Sequence, residues 1–158
     1  MLRSSVLKLT MVCILLHLCS CAKEKQFAIG GISMEPSYKH GQIIFMKPYS
    51  KAPQRWDVVL FNDDKNEQLV FRIVGLPGEV VDLTATGLHI DGTPLSLVLD
   101  ALTINYELLP KHPSFSQVSY PLTLGSDSYF LLGDNPKNSF DSRCFAEVAM
   151  KQIIGKIQ

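Results

Sequence analysis

Short apolar runs separated by turn-forming residues constrain the fold of this 158-residue chain more than any other feature. Seven runs have the length of strands rather than helices. They span residues 42–46, 57–61, 68–74, 80–83, 87–90, 103–108 and 129–132. Turn formers such as Pro48, Pro77 and Gly78 lie between them, and a helical pattern is confined to a short turn around 145–150. The pattern predicts an all-β domain, mostly antiparallel, built as a β-sandwich or open barrel.

One hairpin is predicted in detail. Residues 88–95 read as two short strands on either side of Asp91 and Gly92. A tight two-residue turn needs positive φ, which Gly and Asp adopt more readily than other residues. The sequence therefore predicts a hairpin that turns at these two residues.

The N-terminal segment has the layout of an export signal. Arg3 and Lys8 precede an apolar run at 9–18, and no acidic residue occurs before Glu24. The run is about half as long as a membrane-spanning helix needs to be. The sequence Leu18-Cys19-Ser20-Cys21 resembles the lipobox of bacterial lipoproteins, in which the last cysteine is lipidated and becomes the new N-terminus.

This resemblance implies a signal peptide at 1–20, a lipidated Cys21, a linker at 21–29 and a β-domain at 30–158. The mature protein is then expected at a membrane surface, on the exported side of the bacterial cell envelope. Two alternatives stay open. The segment is an ordinary cleavable signal, or it is an uncleaved short anchor in which Cys21 is an incidental thiol.

Charge and cysteine usage exclude other classes of protein. The chain has 15 basic and 15 acidic side chains and 46% hydrophobic residues, so neither a disordered chain nor a strongly basic nucleic-acid-binding protein is expected. Of the four cysteines, only Cys144 would remain as a free thiol in a lipidated mature chain, and no disulfide framework is predicted. The histidines are scattered, and the sequence predicts no cofactor and no metal site.

The segment Gly-Gly-Ile-Ser-Met-Glu-Pro at 30–36 is the first candidate for chemistry. Glycines ahead of Ser33 allow a sharp turn that exposes its hydroxyl together with its own amide. That geometry suits a nucleophile whose N–H also stabilises an oxyanion. Pro36 fixes the backbone that follows. Taken alone, a loop without a catalytic role is the more common explanation of such a segment.

Three further segments are unremarkable one by one. They read Arg-Trp-Asp-Val-Val-Leu-Phe at 55–61, Phe-Arg-Ile-Val-Gly-Leu-Pro-Gly-Glu at 71–79 and Gly-Asp-Asn-Pro-Lys-Asn-Ser-Phe-Asp-Ser-Arg at 133–143. The first two are explained as strands with charged or turn-forming ends, and the third as a rigid polar turn. A pair between Asp141 and Arg143 would brace that turn or simply lie on the surface.

In their order and spacing, the four segments resemble the motifs of the type I signal peptidases, the serine proteases that remove signal peptides from exported proteins. Residues 33–36 match a Ser-Met-x-Pro motif, and residues 71–79 resemble Lys-Arg-x-x-Gly-x-Pro-Gly-Asp. Residues 133–143 match Gly-Asp-Asn-x-x-x-Ser-x-Asp-Ser-Arg. Residues 56–61 match Gly-Asp-Val-Val-x-Phe, with Trp56 in place of the glycine. The resemblance covers nearly the whole predicted domain.

The resemblance implies a role for each matched residue. Ser33 would be the nucleophile of a Ser-Lys dyad with its own amide in the oxyanion hole, and Gly31 stands where some members add a serine hydroxyl. Ser139 would orient the lysine amine. The remaining matched positions would support the site: Met34, Pro36, Arg72, Asp141 and Arg143. The implied partner is an extended peptide, the signal peptide of a preprotein, which pairs along a strand edge and places small residues in two pockets.

The chain departs from the family at the base of the dyad. The general-base lysine stands immediately before the arginine of the third motif, and here Phe71 precedes Arg72. A phenyl ring accepts no proton, and a guanidinium is effectively always protonated. Lys65 stands six residues before Phe71, which is about 20 Å along an extended strand. Other residues that would have to reach in as a substitute base are Lys39, His40, Lys47 and Lys137.

Three functions therefore stay open. The chain is a serine endopeptidase with a relocated base or only residual turnover, or it is a catalytically inactive protein that keeps the groove to bind peptides and assists secretion or pilus assembly. In the third interpretation the β-domain is structural and Ser33 is an ordinary loop residue. The family resemblance favours the first two. Between these two the sequence does not decide, because the lysine is absent whereas four other site residues are present: Ser33, Ser139, Asp141 and Arg143.

Overall fold

Antiparallel strands dominate the structure, a computed structural model that describes residues 24–99, 102–104, 106 and 118–158. The strands in these residues are β1 (Lys25–Ala28), β2 (Ile43–Lys47), β3 (Val58–Asn62), β4 (Gln68–Gly75), β5 (Val80–Thr84), β6 (Gly87–Ile90), β7 (Thr93–Leu95), β8 (Leu97–Leu99), β9 (Leu102–Ile104), β10 (Leu122–Thr123), β11 (Ser128–Leu132), β12 (Val148–Ala149) and β13 (Ile153–Ile157). The predicted, mostly antiparallel β architecture is confirmed.

Two sheets and a short hairpin organise the strands. One sheet has seven strands in the order β1-β2-β13-β3-β4-β11-β12 and curls into a half-barrel. The second has four in the order β10-β5-β6-β7, and β8 pairs with β9. In the described ranges, helical structure is limited to the one-turn helix α1 (Ser142–Phe145) and to 3-10 turns at Pro136–Asn138 and Met150–Gln152. The helical turn predicted around 145–150 is therefore wrong for most of its length: α1 ends at Phe145, β12 follows, and the second 3-10 turn begins only at Met150.

Strand β11 separates two hydrophobic cores. Tyr129 and Leu131 belong to the first core, inside the half-barrel, whereas Phe130 and Leu132 belong to the second, against the four-stranded sheet. None of these four side chains is more than 4% exposed. Because successive side chains of a strand point to opposite faces, a strand buried on both faces needs apolar residues at every position. This explains the unbroken apolar run at 129–132, which ends where the polar segment 133–143 begins.

Six of the seven predicted strands match observed strands to within one residue at each end. The seventh, predicted at 103–108, begins in β9, and part of its remainder falls outside the described residues. The predicted hairpin is β6–β7, which turns at Asp91 (φ +49°) and Gly92 (φ +76°). Both residues have the positive φ that this turn requires.

Strand β1 lies in the stretch 21–29 that was expected to be a linker. It pairs antiparallel with β2, from Lys25 opposite Met46 to Ala28 opposite Ile43. Three of its four side chains are exposed. Only Phe27 packs against the first core, so the strand is held mainly by backbone pairing and its sequence carries no strand-like pattern.

The predicted signal peptide and the predicted lipidation site Cys21 lie outside the described residues. Within the described residues, no helix has the length and apolar character needed to span a membrane. Cys144 is a buried free thiol, and burial raises its pKa to about 11.

Candidate active site and peptide groove

Ser33 lies on the loop between β1 and β2, and this loop is fixed at its base and next to the serine. At the base, the Ile29 N–H donates to the Gln42 carbonyl over 2.9 Å, and the Gly41 N–H donates to the Ile29 carbonyl over 2.8 Å. Beside Ser33, the Met34 side chain is buried in the first core. Burial of Met34 therefore sets the place of Ser33, which stays partly exposed.

The glycines ahead of Ser33 do not act as the sequence suggested. Neither Gly30 nor Gly31 has φ in the left-handed region, so the turn does not depend on glycine there. A Cβ added at Gly31 would meet no other atom within 4 Å. The position has room for the serine that some members of the resembling family carry, and it lines the groove described below.

The segment after β11 clamps the backbone at Ser33. The Asn135 N–H donates to the Ser33 carbonyl over 2.9 Å, and the Asn135 side-chain amide donates to the Ile32 carbonyl over 3.1 Å. Gly133 packs so closely that a Cβ on it would lie 2.5 Å from the Ser33 carbonyl oxygen and 2.2 Å from the Ser139 Oγ. Only glycine fits at such a close approach. The fold thus brings Ser33, Gly133 and Ser139 together.

A buried ion pair joins β4 to this segment. Arg72 donates to both carboxylate oxygens of Asp134, from Nε to Oδ1 over 2.8 Å and from Nη2 to Oδ2 over 2.5 Å. The Ser37 hydroxyl, on the Ser33 loop, donates to the same Oδ2 over 2.5 Å. Burial alone would lower the pKa of the Arg72 guanidinium, but the hydrogen bonds and the charge of Asp134 outweigh it and raise that pKa. A charged pair therefore ties β4, the 133–143 segment and the Ser33 loop together.

Trp56 completes the surroundings of Arg72. Its φ of +74° lies in the left-handed region, which costs a residue other than glycine about 1–2 kcal/mol. Its carbonyl accepts from the Arg72 Nη1 over 3.0 Å, and its N–H donates to the Ile73 carbonyl over 2.8 Å. The positive φ explains why the motif that residues 56–61 resemble has glycine at the position of Trp56. Packing of the Trp56 side chain against the second core offsets part of the cost.

Asp141 and Arg143 form a second buried ion pair. Arg143 donates to the two carboxylate oxygens from Nε over 2.8 Å and from Nη2 over 2.9 Å, and Nη2 also donates to the Pro136 carbonyl. The Gly133 N–H donates to the Asp141 Oδ2 over 3.1 Å. Asp141 is 0% and Arg143 1% exposed. Of the two interpretations of this pair, the internal brace of the 133–143 turn is therefore right, and the surface pair is not.

Phe71, which precedes Arg72 in β4, is a core residue. Its side chain is buried, and its ring centroid lies 5.8 Å from that of Phe61 and 6.5 Å from that of Phe145. The motif residue Ser139, which packs against Gly133, has a buried hydroxyl without a hydrogen-bond partner among the described residues. An orphaned buried hydroxyl costs about 1–3 kcal/mol. Ser139 thus has a hydrogen-bonding capacity that no described residue uses.

No substitute base contacts Ser33 in the part of the chain that the structure describes. The Ser33 hydroxyl makes no hydrogen bond there, and no lysine or histidine lines the groove beside it. Lys47 instead contacts Glu24 at 2.8 Å and Gln158 at 3.2 Å. The other three residues considered as bases are exposed: Lys39, His40 and Lys137.

A groove of about 390 Å³ opens in front of Ser33. It is lined by residues 27–31, 33, 34, 60 and 67–70, so β1 forms one wall and the start of β4 forms another. In the described pairing, β1 pairs with β2 alone, and β4 pairs with β11 only from Arg72 onward. The groove therefore lies between two free strand edges, the arrangement in which an extended peptide can add as a further strand.

Neither Asp134 nor Ser37 is among the candidate site residues predicted from the sequence. Asp134 stands 62 residues after Arg72 in the chain, and no local pattern reports a contact at that separation. One signal was available: Arg72 lies inside an apolar strand, and a buried arginine needs a carboxylate partner. Asp134 is the first acidic residue after the apolar strand β11, so it was the candidate partner for this arginine.

Replacing Asp134 with alanine is expected to lower the free energy of unfolding by about 3–5 kcal/mol, because Arg72 is left as a buried unpaired charge. Equilibrium urea unfolding measures the change. Glu24→Ala is the matched control, since it removes the exposed ion pair with Lys47 and should cost less than about 1 kcal/mol. Equal, small costs for the two substitutions would contradict the proposed importance of the buried pair.

Comparison with known proteins identifies the relatives of the chain. The family described as Signal peptidase, peptidase S26, matches residues 2–158. Signal peptidase I V of Bacillus subtilis (strain 168) is 29% identical over 138 residues, which cover 83% of this chain and 82% of that protein. Signal peptidase IB of Staphylococcus aureus (strain Mu50 / ATCC 700699) is 27% identical over 145 residues, covering 83% of this chain and 74% of that protein.

A solved structure is also similar. The crystal structure of a signal peptidase I from Enterococcus faecalis V583 is 29% identical in sequence, with a TM-score of 0.49, and covers 68% of this chain and 98% of that one. The family match extends over nearly the whole sequence and includes all four segments that form the site. The chain belongs to the signal peptidase family, peptidase S26.

Proposed function

We propose that this protein binds extended signal-peptide-like segments in the groove beside Ser33 and does not cleave them through a Ser-Lys dyad. One observation carries the proposal: Phe71 fills the base position as a core residue, while the Ser139 hydroxyl stays buried without a described partner. The scaffold around Ser33 is otherwise intact. In this proposal the protein retains the peptide binding of the family and lacks the peptide cleavage.

The proposed peptide binding rests on the shape and the lining of the groove. Two free strand edges face it, so the backbone of an extended peptide can donate and accept hydrogen bonds on both sides. The lining near Ser33 is small or apolar, with Gly31, Ala28 and Met34 among its residues. Such a lining suits small apolar side chains. The relatives are named signal peptidases, which supports exported proteins as the source of the peptide.

Cleavage is not expected, because no described residue can accept the proton of the Ser33 hydroxyl. A serine hydroxyl attacks a peptide carbonyl efficiently only if a base removes its proton, and general-base catalysis alone contributes about 10²–10⁴-fold. Members of such a dyad act as a unit, so the loss of one removes most of the benefit of the other. The Arg72 guanidinium cannot replace the amine, because its two Asp134 hydrogen bonds keep it charged.

A second candidate function is slow hydrolysis by a serine endopeptidase of the same family. The observation that favours it is the retained position of Ser33, which lines the groove and whose carbonyl is held by Asn135. Preorganised backbone groups alone can leave residual catalysis. In this case cleavage would be weak and would depend on Ser33.

The first prediction concerns binding. A peptide that contains Ala-x-Ala should release or absorb heat on titration into the full chain and should raise the melting temperature. Ala28→Trp fills the groove from its exposed β1 wall and should weaken binding at least tenfold, whereas Thr123→Trp, an equally exposed strand position outside the groove, should not. No heat and no shift in melting temperature with the native chain would contradict the proposal, as would unchanged binding by Ala28→Trp.

The second prediction concerns the missing amine. Phe71→Lys should create peptide cleavage about 10²–10⁴-fold above that of the native chain. Burial disfavours the charged form of a lysine, and the unpartnered Ser139 hydroxyl matches the family position that orients the amine. Phe71→Met is the matched control without an amine. Cleavage is measured by mass spectrometry of a preprotein.

The double variant Phe71→Lys with Ser33→Ala should lose the gain. Vigorous cleavage by the native chain that survives Ser33→Ala would eliminate the dyad interpretation altogether. Fast cleavage by the native chain that Ser33→Ala abolishes would favour a relocated base instead, and would overturn the proposal of binding without turnover.

The chain is further proposed to be held at the membrane through lipid on Cys21, after removal of residues 1–20. Only three residues separate Cys21 from β1, so the groove would lie close to the membrane surface. Metabolic labelling with tritiated palmitate in a lipoprotein-making bacterium should label the chain. Cys21→Ser should abolish the label, and Cys19→Ser, its near neighbour, should keep it. Label that survives Cys21→Ser would contradict this mode of attachment and would favour the ordinary signal or the short anchor.

A further inference from the structure

The groove carries one ionisable side chain among its described lining residues, on the wall formed by the start of β4 and the residue before it. That residue is Glu67, which immediately precedes β4. The side chain is exposed and has no ion-pair or hydrogen-bond partner among the described residues. The other groove residues are apolar, small or neutral. A single uncompensated carboxylate in such a lining is a feature that can discriminate between peptides.

The neighbours of Glu67 do not neutralise it. It belongs to the β3–β4 turn, in which the Asp63 carboxylate accepts from the Lys65 and Glu67 N–H groups over 2.8 Å each. Lys65, the one basic residue of that turn, lines a different cavity together with Phe140 and Phe145. The turn therefore adds negative charge at this end of the groove and leaves the Glu67 carboxylate available.

We propose that Glu67 makes the groove selective for peptides that carry a lysine or arginine at the position lying against the start of β4. This inference rests on the proposed function, because it requires an extended peptide in the groove. The β4 wall of the groove runs from Glu67 to Val70, about 10 Å along an extended chain. A peptide in β-conformation covers that length in about three residues, so we expect the basic residue about three or more positions from the small residue next to Ser33.

Charge complementarity with the Glu67 carboxylate favours a basic peptide residue over a neutral or an acidic one. An ammonium or guanidinium can donate to the unpaired carboxylate at the rim of the groove, and the stem of the side chain can lie along Leu69 and Phe27. A neutral side chain gains only the apolar part of this contact, and an acidic one is repelled. Pairs near the surface contribute modestly, so the expected preference is about three- to fivefold in affinity.

The test is a set of labelled peptides bound to the full chain in detergent and followed by fluorescence anisotropy. All peptides contain Ala-x-Ala and differ at one residue placed three, four, five or six positions away from it, where Lys, Gln or Glu is inserted. Four proteins are compared: the native chain, Glu67→Gln, Glu67→Lys and Asp127→Asn. The last is the matched control, an exposed acid in the turn before β11 that does not line the groove.

The native chain and Asp127→Asn should prefer Lys to Gln and Gln to Glu, at one or two adjacent positions, with a preference that weakens in high salt. Glu67→Gln should remove the preference and still bind, and Glu67→Lys should reverse it. Equal affinity for Lys, Gln and Glu peptides at every position would overturn the role of Glu67 while leaving the groove as a peptide site. Absence of binding by every peptide would instead overturn the proposed function itself.

Discussion

The buried ion pair between Arg72 and Asp134 is the interaction on which the site depends. It joins a strand of the half-barrel to the segment that follows β11, and the Ser37 hydroxyl adds the loop that carries Ser33. Two charges removed from water are stable only when each is fully partnered, so this pair holds its surroundings to one geometry. Asp141 and Arg143 do the same within the 133–143 turn, where Asp141 holds the Gly133 N–H. Ser33 is placed by these two pairs together with the burial of Met34.

This scaffold is complete without the catalytic amine. The Phe71 ring packs with Phe61 and Phe145 in the first core, so the position contributes to stability in place of chemistry. The buried Ser139 hydroxyl has no hydrogen-bond partner among the described residues, and in our proposal it is the group that would have held the amine. The groove, the clamp on Ser33 and both ion pairs, together with the core position of Phe71, are the observations that support our proposal of binding without cleavage.

The sequence predicted the fold well where burial leaves a local pattern. Strands such as β4 and β11 are buried on one or both faces and show as apolar runs, and the Asp91-Gly92 turn shows because it needs positive φ. Strand β1 left no such pattern, since backbone pairing to β2 holds it and three of its four side chains face solvent. In the site, resemblance marked Ser33 and Phe71, whereas the Arg72–Asp134 pair depends on a contact between distant segments. The walls of the groove also come from segments far apart in the chain, and only the tertiary structure brings them together.

The most direct test of the central claim is a crystal structure of the chain with a bound peptide that contains Ala-x-Ala. The account predicts an intact peptide in extended conformation, hydrogen-bonded to β1 and to the first half of β4, with an unmodified Ser33 hydroxyl beside its carbonyl and the Phe71 ring still in the core. A peptide bound elsewhere would contradict the assignment of the groove. An acyl group on Ser33, or a cleaved product with a lysine or histidine nitrogen at the hydroxyl, would contradict the claim that the base is missing.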